Sequence, residues 1–196
     1  MKLKTLSTVC FAAAACWFVC SVTAAATSHY VYYSKYNQEQ TNWCWVACAQ
    51  MSGKQAYSAS NLTQSQVVTY VKGASVNQPA SLEETRIAAQ RFTNNTVNYT
   101  SSENNLMYEF LVAQVMYSKV PVCGWSVYDP PYADPVSGHM VTVSGVEYGS
   151  TPDSRYVTYF DPAYQVDAIR ISFSDFMTRS AGGDCFYKWN GNVYRY

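Results

Sequence analysis

Before Pro121 the apolar residues of this chain recur at helical spacing; after it they gather into short β-branched and aromatic runs. Four helices are predicted in the first part. One follows Asn42, a good N-cap residue, and carries Trp43, Cys44, Trp45, Val46, Ala47, Cys48, Ala49, Gln50 and Met51, with Gly53 where a glycine after the helix belongs. Asn61 to Lys72 forms the next and stops at Gly73. A third opens on the capping box Ser81-Leu82-Glu83-Glu84 and reaches about Phe92. The last, Glu103 to Lys119, carries Leu106, Phe110, Leu111, Val115 and Met116 and is stopped by Pro121. Thr27 to Gln40 reads as an extended, tyrosine-rich arm, and Asn94 to Thr100 as a polar loop.

Strands are predicted over Val120 to Tyr128, His139 to Tyr148, Arg155 to Asp161 and Ala168 to Phe173. Asn190-Gly191, between Cys185–Trp189 and Val193–Tyr196, is the strongest hairpin signal in the chain. Helices first and strands later imply an α+β domain, with a helical lobe packed on an antiparallel sheet and a cleft between them. No repeat, linker or low-complexity segment marks a second domain.

The first residues alter the picture of the mature chain. Lys2 and Lys4 form a basic start, Leu6 to Val22 is mostly apolar, and Ala24-Ala25-Ala26 satisfies a small-x-small cleavage rule. Residues 1–26 are therefore expected to be a Sec-type signal peptide, and 27–196 a single secreted or periplasmic domain. A membrane anchor is the alternative, disfavoured because the apolar run is short and meets a cleavage site at once. Lys and Arg number 13 against 13 Asp and Glu, and losing two lysines leaves the mature chain slightly acidic. That balance offers no basic stripe for nucleic acid and no polybasic patch for a membrane. Only 13% of residues are charged while tyrosines number 18, which suits an exported protein but identifies no ligand.

Cysteine and histidine narrow the chemistry. Cys10, Cys16 and Cys20 fall in the signal segment, leaving Cys44, Cys48, Cys123 and Cys185. Cys44 sits in the first turn of its helix, where the helix dipole and unpaired N–H groups favour a thiolate, the form that attacks carbonyls. On composition alone, Cys44 and Cys48 could equally be two small buried groups one turn apart. With Cys44 a free nucleophile, only one bridge can form among the rest; Cys48 then reads as a buried thiol and Cys123–Cys185 as the expected pair. A zinc site is the other use for cysteine and histidine, but Cys44 and Cys48 lack a close second pair. Of the two histidines, His29 falls near the cleavage site in the arm. His139, after Gly138 at the start of a strand, is the candidate general base. Asp161 ends the strand expected beside it, within reach of the imidazole's second nitrogen. Asp161-Pro162 also reads simply as a strand-ending turn.

Gln38, then Cys44-Trp45, Gly138-His139 opening the run MVTVSGV, and Tyr159-Phe160-Asp161-Pro162 occur in that order. In these motifs the chain resembles the papain-like cysteine proteases, in particular the compact bacterial branch of the staphopains and AvrRpt2-type effector proteases. The resemblance covers roughly Gln38 to Pro162. It implies a two-lobe papain-like fold and a secreted endopeptidase with Cys44, His139 and Asp161 as catalytic triad. Gln38 and the Cys44 backbone N–H would form the oxyanion hole, with no cofactor or metal. Thr41, Asn42 and Trp43 replace the glycines that precede papain's nucleophile, and an aspartate stands where papain has asparagine. Only a short segment separates Thr27 from Cys44, so no folded inhibitory pro-domain is expected in it.

Two other functions remain open at this point. Amidases, deamidases and transglutaminases also run Cys before His, and the fold could serve a non-catalytic secreted binding protein. The expected partners are a protein or peptide substrate and an inhibitor or immunity protein, without nucleic acid or membrane, on a monomer.

Overall fold

The computed structural model describes residues 27–104, 106–130, 134–149, 151–164 and 167–196. The predicted signal peptide, residues 1–26, lies outside them. Five helices and eight strands follow one another among the described residues. The helices are α1 (Cys44–Ala56), α2 (Gln64–Lys72), α3 (Leu82–Phe92), α4 (Tyr108–Met116) and α5 (Phe173–Met177). The strands are β1 (Thr27–Tyr30), β2 (Tyr99–Ser102), β3 (Val122–Tyr128), β4 (Ser137–Tyr148), β5 (Tyr156–Phe160), β6 (Ile169–Ser172), β7 (Thr178–Gly182) and β8 (Cys185–Arg195). This is the expected α+β arrangement, with α1 to α3 ahead of most of the sheet.

The sheet is antiparallel throughout, in the order β2-β8-β3-β4-β5-β6, with β1 on β4 and β7 on β8. Its central strands are buried on both faces, which is why they read as near-continuous apolar runs rather than as alternation. Neighbouring residues on one strand enter different cores. Val122, Met140, Phe160 and Val193 pack with α1, α2 and α3, whereas Cys123, Val141 and Tyr159 pack with α4 and α5.

Local signals held where both partners lie within a turn. Ser81 and Glu84 cap each other's backbone at the start of α3 as expected, whereas α2 starts at Gln64 and not at Asn61, because Thr63 and Gln66 form a capping box of their own. Gly73 closes α2 at φ 80°, a left-handed position that glycine occupies without steric cost.

Three expectations are corrected by tertiary contacts. The N-cap of α1 is Trp43, with no side-chain capping bond, because Asn42 is engaged elsewhere. Gly53 lies inside α1, not after it: a Cβ there would stand 2.4 Å from the Phe92 Cβ, so the glycine serves the close approach of α1 and α3. Asn190-Gly191 makes no hairpin. Strand β8 runs straight through it, and pairing with β3 passes from Trp125↔Trp189 to Gly124↔Gly191, leaving Asn190 as the extra residue of a bulge. The turn joining β7 to β8 is instead Gly183-Asp184, with Gly182 and Gly183 both at positive φ. Residues Thr27 to Tyr30 of the supposed arm form β1, and His29 pairs with Val146.

Candidate active site

Cys44 is the first residue of α1 and half-buried at the end of that helix. The first N–H groups of a helix have no intrahelical acceptor, and here neither a capping side chain nor an acidic first-turn residue answers them. The strand β4 brings His139 to the same place. Its Nε2 donates to Asp161 Oδ1 at 2.7 Å, and Cys44 lies near enough to act on the ring's charge, with Nδ1 the nitrogen that Asp161 leaves free. Asp161 directly follows β5, whose Phe160 pairs with Thr142 of β4 a few positions beyond His139. Its carboxylate also accepts from Ala163 N at 3.0 Å, so the turn that ends the strand fixes its orientation as well.

Burial is the largest single influence on His139 and works against the imidazolium. The hydrogen bonds and charges of Asp161 and Cys44 together outweigh it, raising the ring's pKa to about 9. The side chains of His139 and Asp161 are 16% and 2% exposed, so water screens this interaction weakly. On the same helix as Cys44, Cys48 is fully buried, and burial first and the charge of Cys44 second push its thiol well up. Cys44 therefore has an imidazole partner that Cys48 lacks.

Cys44 and His139 both line a cleft of about 310 Å³. Pro79, Ala80 and Leu82 flank it from the helical lobe; Gly124, Ser126 and Asn190 flank it from the sheet. Asn190 is held there by donating to Ser126 Oγ at 2.6 Å. Sequence reasoning assigned Asn190 to a turn and so missed it. It missed Arg179 too. That guanidinium lies over the rings of Trp125, Tyr159 and Tyr187 at 4.7, 5.6 and 5.2 Å and donates to the Tyr159 hydroxyl. Tyr187 in turn stands 6.4 Å from the His139 ring, so the aromatic wall behind the imidazole is braced by a cation.

Gln38 is joined to this centre through its backbone: its N–H donates to Pro162 O at 2.9 Å, next to Asp161. Its side-chain Nε2 donates to Thr41 O at 2.8 Å, and its buried Oε1 has no partner among the described residues. One Nε2 hydrogen is thus used to set the amide's plane while the second remains. The expected Cys123–Cys185 bridge is absent, and both thiols are free. Cys123 lies opposite Asn192, whereas Cys185 begins β8 beyond the Phe186↔Tyr128 pair, so the two stand at opposite ends of one ladder. Among the described residues no group of three or more His, Cys, Asp or Glu side chains could hold a metal ion.

The family described as papain-like cysteine protease AvrRpt2 matches residues 25–181, most of the chain. The chain belongs to that family. The match ends before β8, so Asn190 and Tyr187 lie outside the matched residues. A search of curated proteins finds no match. Among solved structures, UfSP from C. elegans is similar at 14% identity and a TM-score of 0.48, over 86% of this chain and 34% of that one. The chain thus spans about a third of that protein's length.

Proposed function

We propose that this chain is a secreted cysteine endopeptidase in which Cys44, His139 and Asp161 act as catalytic triad and Gln38 as oxyanion donor. The observation that carries the reading is His139, hydrogen-bonded to the buried Asp161 and sharing one cleft with Cys44, which acts on its charge. A raised imidazole pKa favours an imidazolium beside a thiolate, which is the reactive ion pair of this chemistry.

The Cys44 thiolate attacks the substrate's peptide carbonyl, forming a C–S bond while the carbonyl electron pair moves to oxygen. The resulting oxyanion is stabilised by the Cys44 N–H and by the second Nε2–H of Gln38. His139 gives its proton to the leaving nitrogen as the C–N bond breaks, leaving a thioester on Cys44. Neutral His139 then takes a proton from water, the hydroxide adds to the thioester, and the acid product departs as the thiolate re-forms. Asp161 holds the ring so that Nδ1 faces sulfur throughout. Export through a signal peptide is supported by the basic start, apolar run and small-residue site of residues 1–26.

The reading is tested by labelling the chain with an epoxide-type cysteine protease inhibitor and following hydrolysis of fluorescent casein. Stoichiometric modification of Cys44 in the native but not the denatured protein, with casein cleavage blocked in parallel, is expected. Native protein that is neither labelled nor active would move the assignment to a non-catalytic binding protein on the same fold.

A further inference from the structure

The loop in front of the nucleophile carries Thr41-Asn42-Trp43, all with side chains, and the structure reveals what they hold. The peptide unit joining Thr41 to Asn42 is gripped at both ends. Its carbonyl, Thr41 O, accepts from Gln38 Nε2 at 2.8 Å. Its N–H, on Asn42, donates to the side chain of Asn77, at Oδ1, at 2.9 Å. The other end of the same Asn77 amide, Nδ2, donates to Thr41 Oγ1 at 2.9 Å, and Asn42 Nδ2 returns a bond to Asn77 O at 3.1 Å. One carboxamide therefore spans the peptide plane on which the Gln38 carboxamide rests. Rotating that plane would break the Asn77 bond and the Gln38 bond together.

The segment holding Asn77 is itself fixed to the nucleophile helix. Trp43 Nε1 donates to Val76 O at 2.9 Å and Trp45 Nε1 to Gln78 O at 3.0 Å, on either side of Asn77. Both indole rings are anchored in the core of the helical lobe. The clamp is thus continuous from the packed interior, through Val76 to Gln78, to the peptide that precedes Trp43 and Cys44.

From this geometry we infer that Asn77 is a positioning residue for the oxyanion side of the site. It acts through the Thr41–Asn42 peptide on Gln38. A donor aimed at developing charge is effective only if its direction is set before the reaction, and Gln38 lies in irregular chain with no helix or strand to set it. Asn77 supplies that direction from a separate loop. The inference rests on the oxyanion role proposed for Gln38.

The test is a double-substitution cycle on the full chain. It uses a fluorogenic peptide amide cleaved by the unaltered protein, with alkylation of Cys44 by iodoacetamide as a second readout. Gln38→Ala is expected to lower kcat by on the order of 10²–10³. Asn77→Ala should lower kcat by roughly 10-fold, with KM changed less than about twofold. Introduced into Gln38→Ala, it should lower kcat by less than about twofold further, since the group it orients is gone. Asn77→Asp, which keeps the acceptor for Asn42 N–H, should recover most of the loss. Iodoacetamide should alkylate all four variants at similar rates, because alkylation needs the thiolate and not the oxyanion hole. Multiplying losses in the double variant, or unchanged kcat in Asn77→Ala, would overturn the positioning role while leaving Gln38 in place. Unchanged kcat in Gln38→Ala would remove the oxyanion reading itself, and the inference with it.

Discussion

The two halves of the candidate site are held by different kinds of bond. His139 and Asp161 come from β4 and from the end of β5, whose register is fixed by a row of main-chain bonds and two buried faces. Gln38 and Cys44 come from an irregular loop and an uncapped helix start, fixed by indole and carboxamide side chains reaching main-chain atoms. A ladder spreads its load over many residues, and no one side chain decides where His139 stands. The helical half depends on a few named groups. It is therefore the half in which one substitution outside the triad can misplace a reacting group without disturbing the fold.

The largest effect should fall on Cys44, the proposed nucleophile, and separates the two thiols of α1. Cys44→Ala is expected to lower kcat by on the order of 10⁵–10⁶, as loss of a nucleophile does elsewhere, with the melting temperature little changed. Cys48→Ala should retain turnover and lose stability instead, because Cys48 is fully buried and its replacement leaves a small void. Turnover surviving in Cys44→Ala but not in Cys48→Ala would reverse the assignment.

A smaller effect is expected from the sheet half. In Asp161→Asn the amide oxygen can still accept from His139 Nε2 and from Ala163 N, so kcat should fall by roughly 10-fold, far less than in His139→Ala. The lost charge matters to the pH profile. Asp161 helps to hold the imidazole's pKa at about 9, so kcat/KM should decline near that pH in the unaltered protein and at lower pH in Asp161→Asn. The His139 imidazole also makes stability depend on pH. Because its folded-state pKa is raised, its contribution is complete below about 6.5, the ordinary histidine value, and is lost as pH rises through about 9. Melting temperatures recorded across that window should drop in the unaltered protein and stay flatter in Asp161→Asn. An alkaline limb that does not move would mean that the carboxylate's charge has no part in tuning the ring.

The smallest effects concern the glycines behind each half. Gly53→Ala forces a Cβ to within 2.4 Å of the Phe92 Cβ and 2.9 Å of the Ala89 carbonyl, where two helix backbones must separate. A loss of about 1–3 kcal/mol is expected in chemical denaturation. Gly191→Ala meets the Leu82 Cδ1 at 2.2 Å, the free end of a side chain that can turn away, and should cost less than Gly53→Ala. Equal losses at the two positions would show that the bulge in β8 is as rigid as the helix contact.

The cap of α3 could be read from sequence because it joins residues three apart, Ser81 with Glu84. The strands β3 to β5 could be read because burial on both faces leaves a run of apolar residues whatever the partners are. The candidates Gln38, Cys44, His139 and Asp161 were legible as short motifs in a fixed order, since each chemical role needs a particular functional group.

What could not be read from sequence were the places where the partner is distant. Asn42 has the chemistry of an N-cap, yet its amide is spent on Asn77, thirty-five positions away, so α1 starts uncapped. Asn190-Gly191 has the chemistry of a tight turn, yet pairing with β3 draws it into a bulge and turns Asn190 into a wall of the cleft. Arg179 carries no motif, and its place against three rings exists only once β3, β5, β7 and β8 are assembled. The sequence by itself determined which groups could do chemistry and which segments coil or extend, because those properties are set within a few bonds or a single turn. Only the tertiary structure decided which amide caps, which turns and which orients, because an asparagine satisfies whichever backbone the folded chain brings to it.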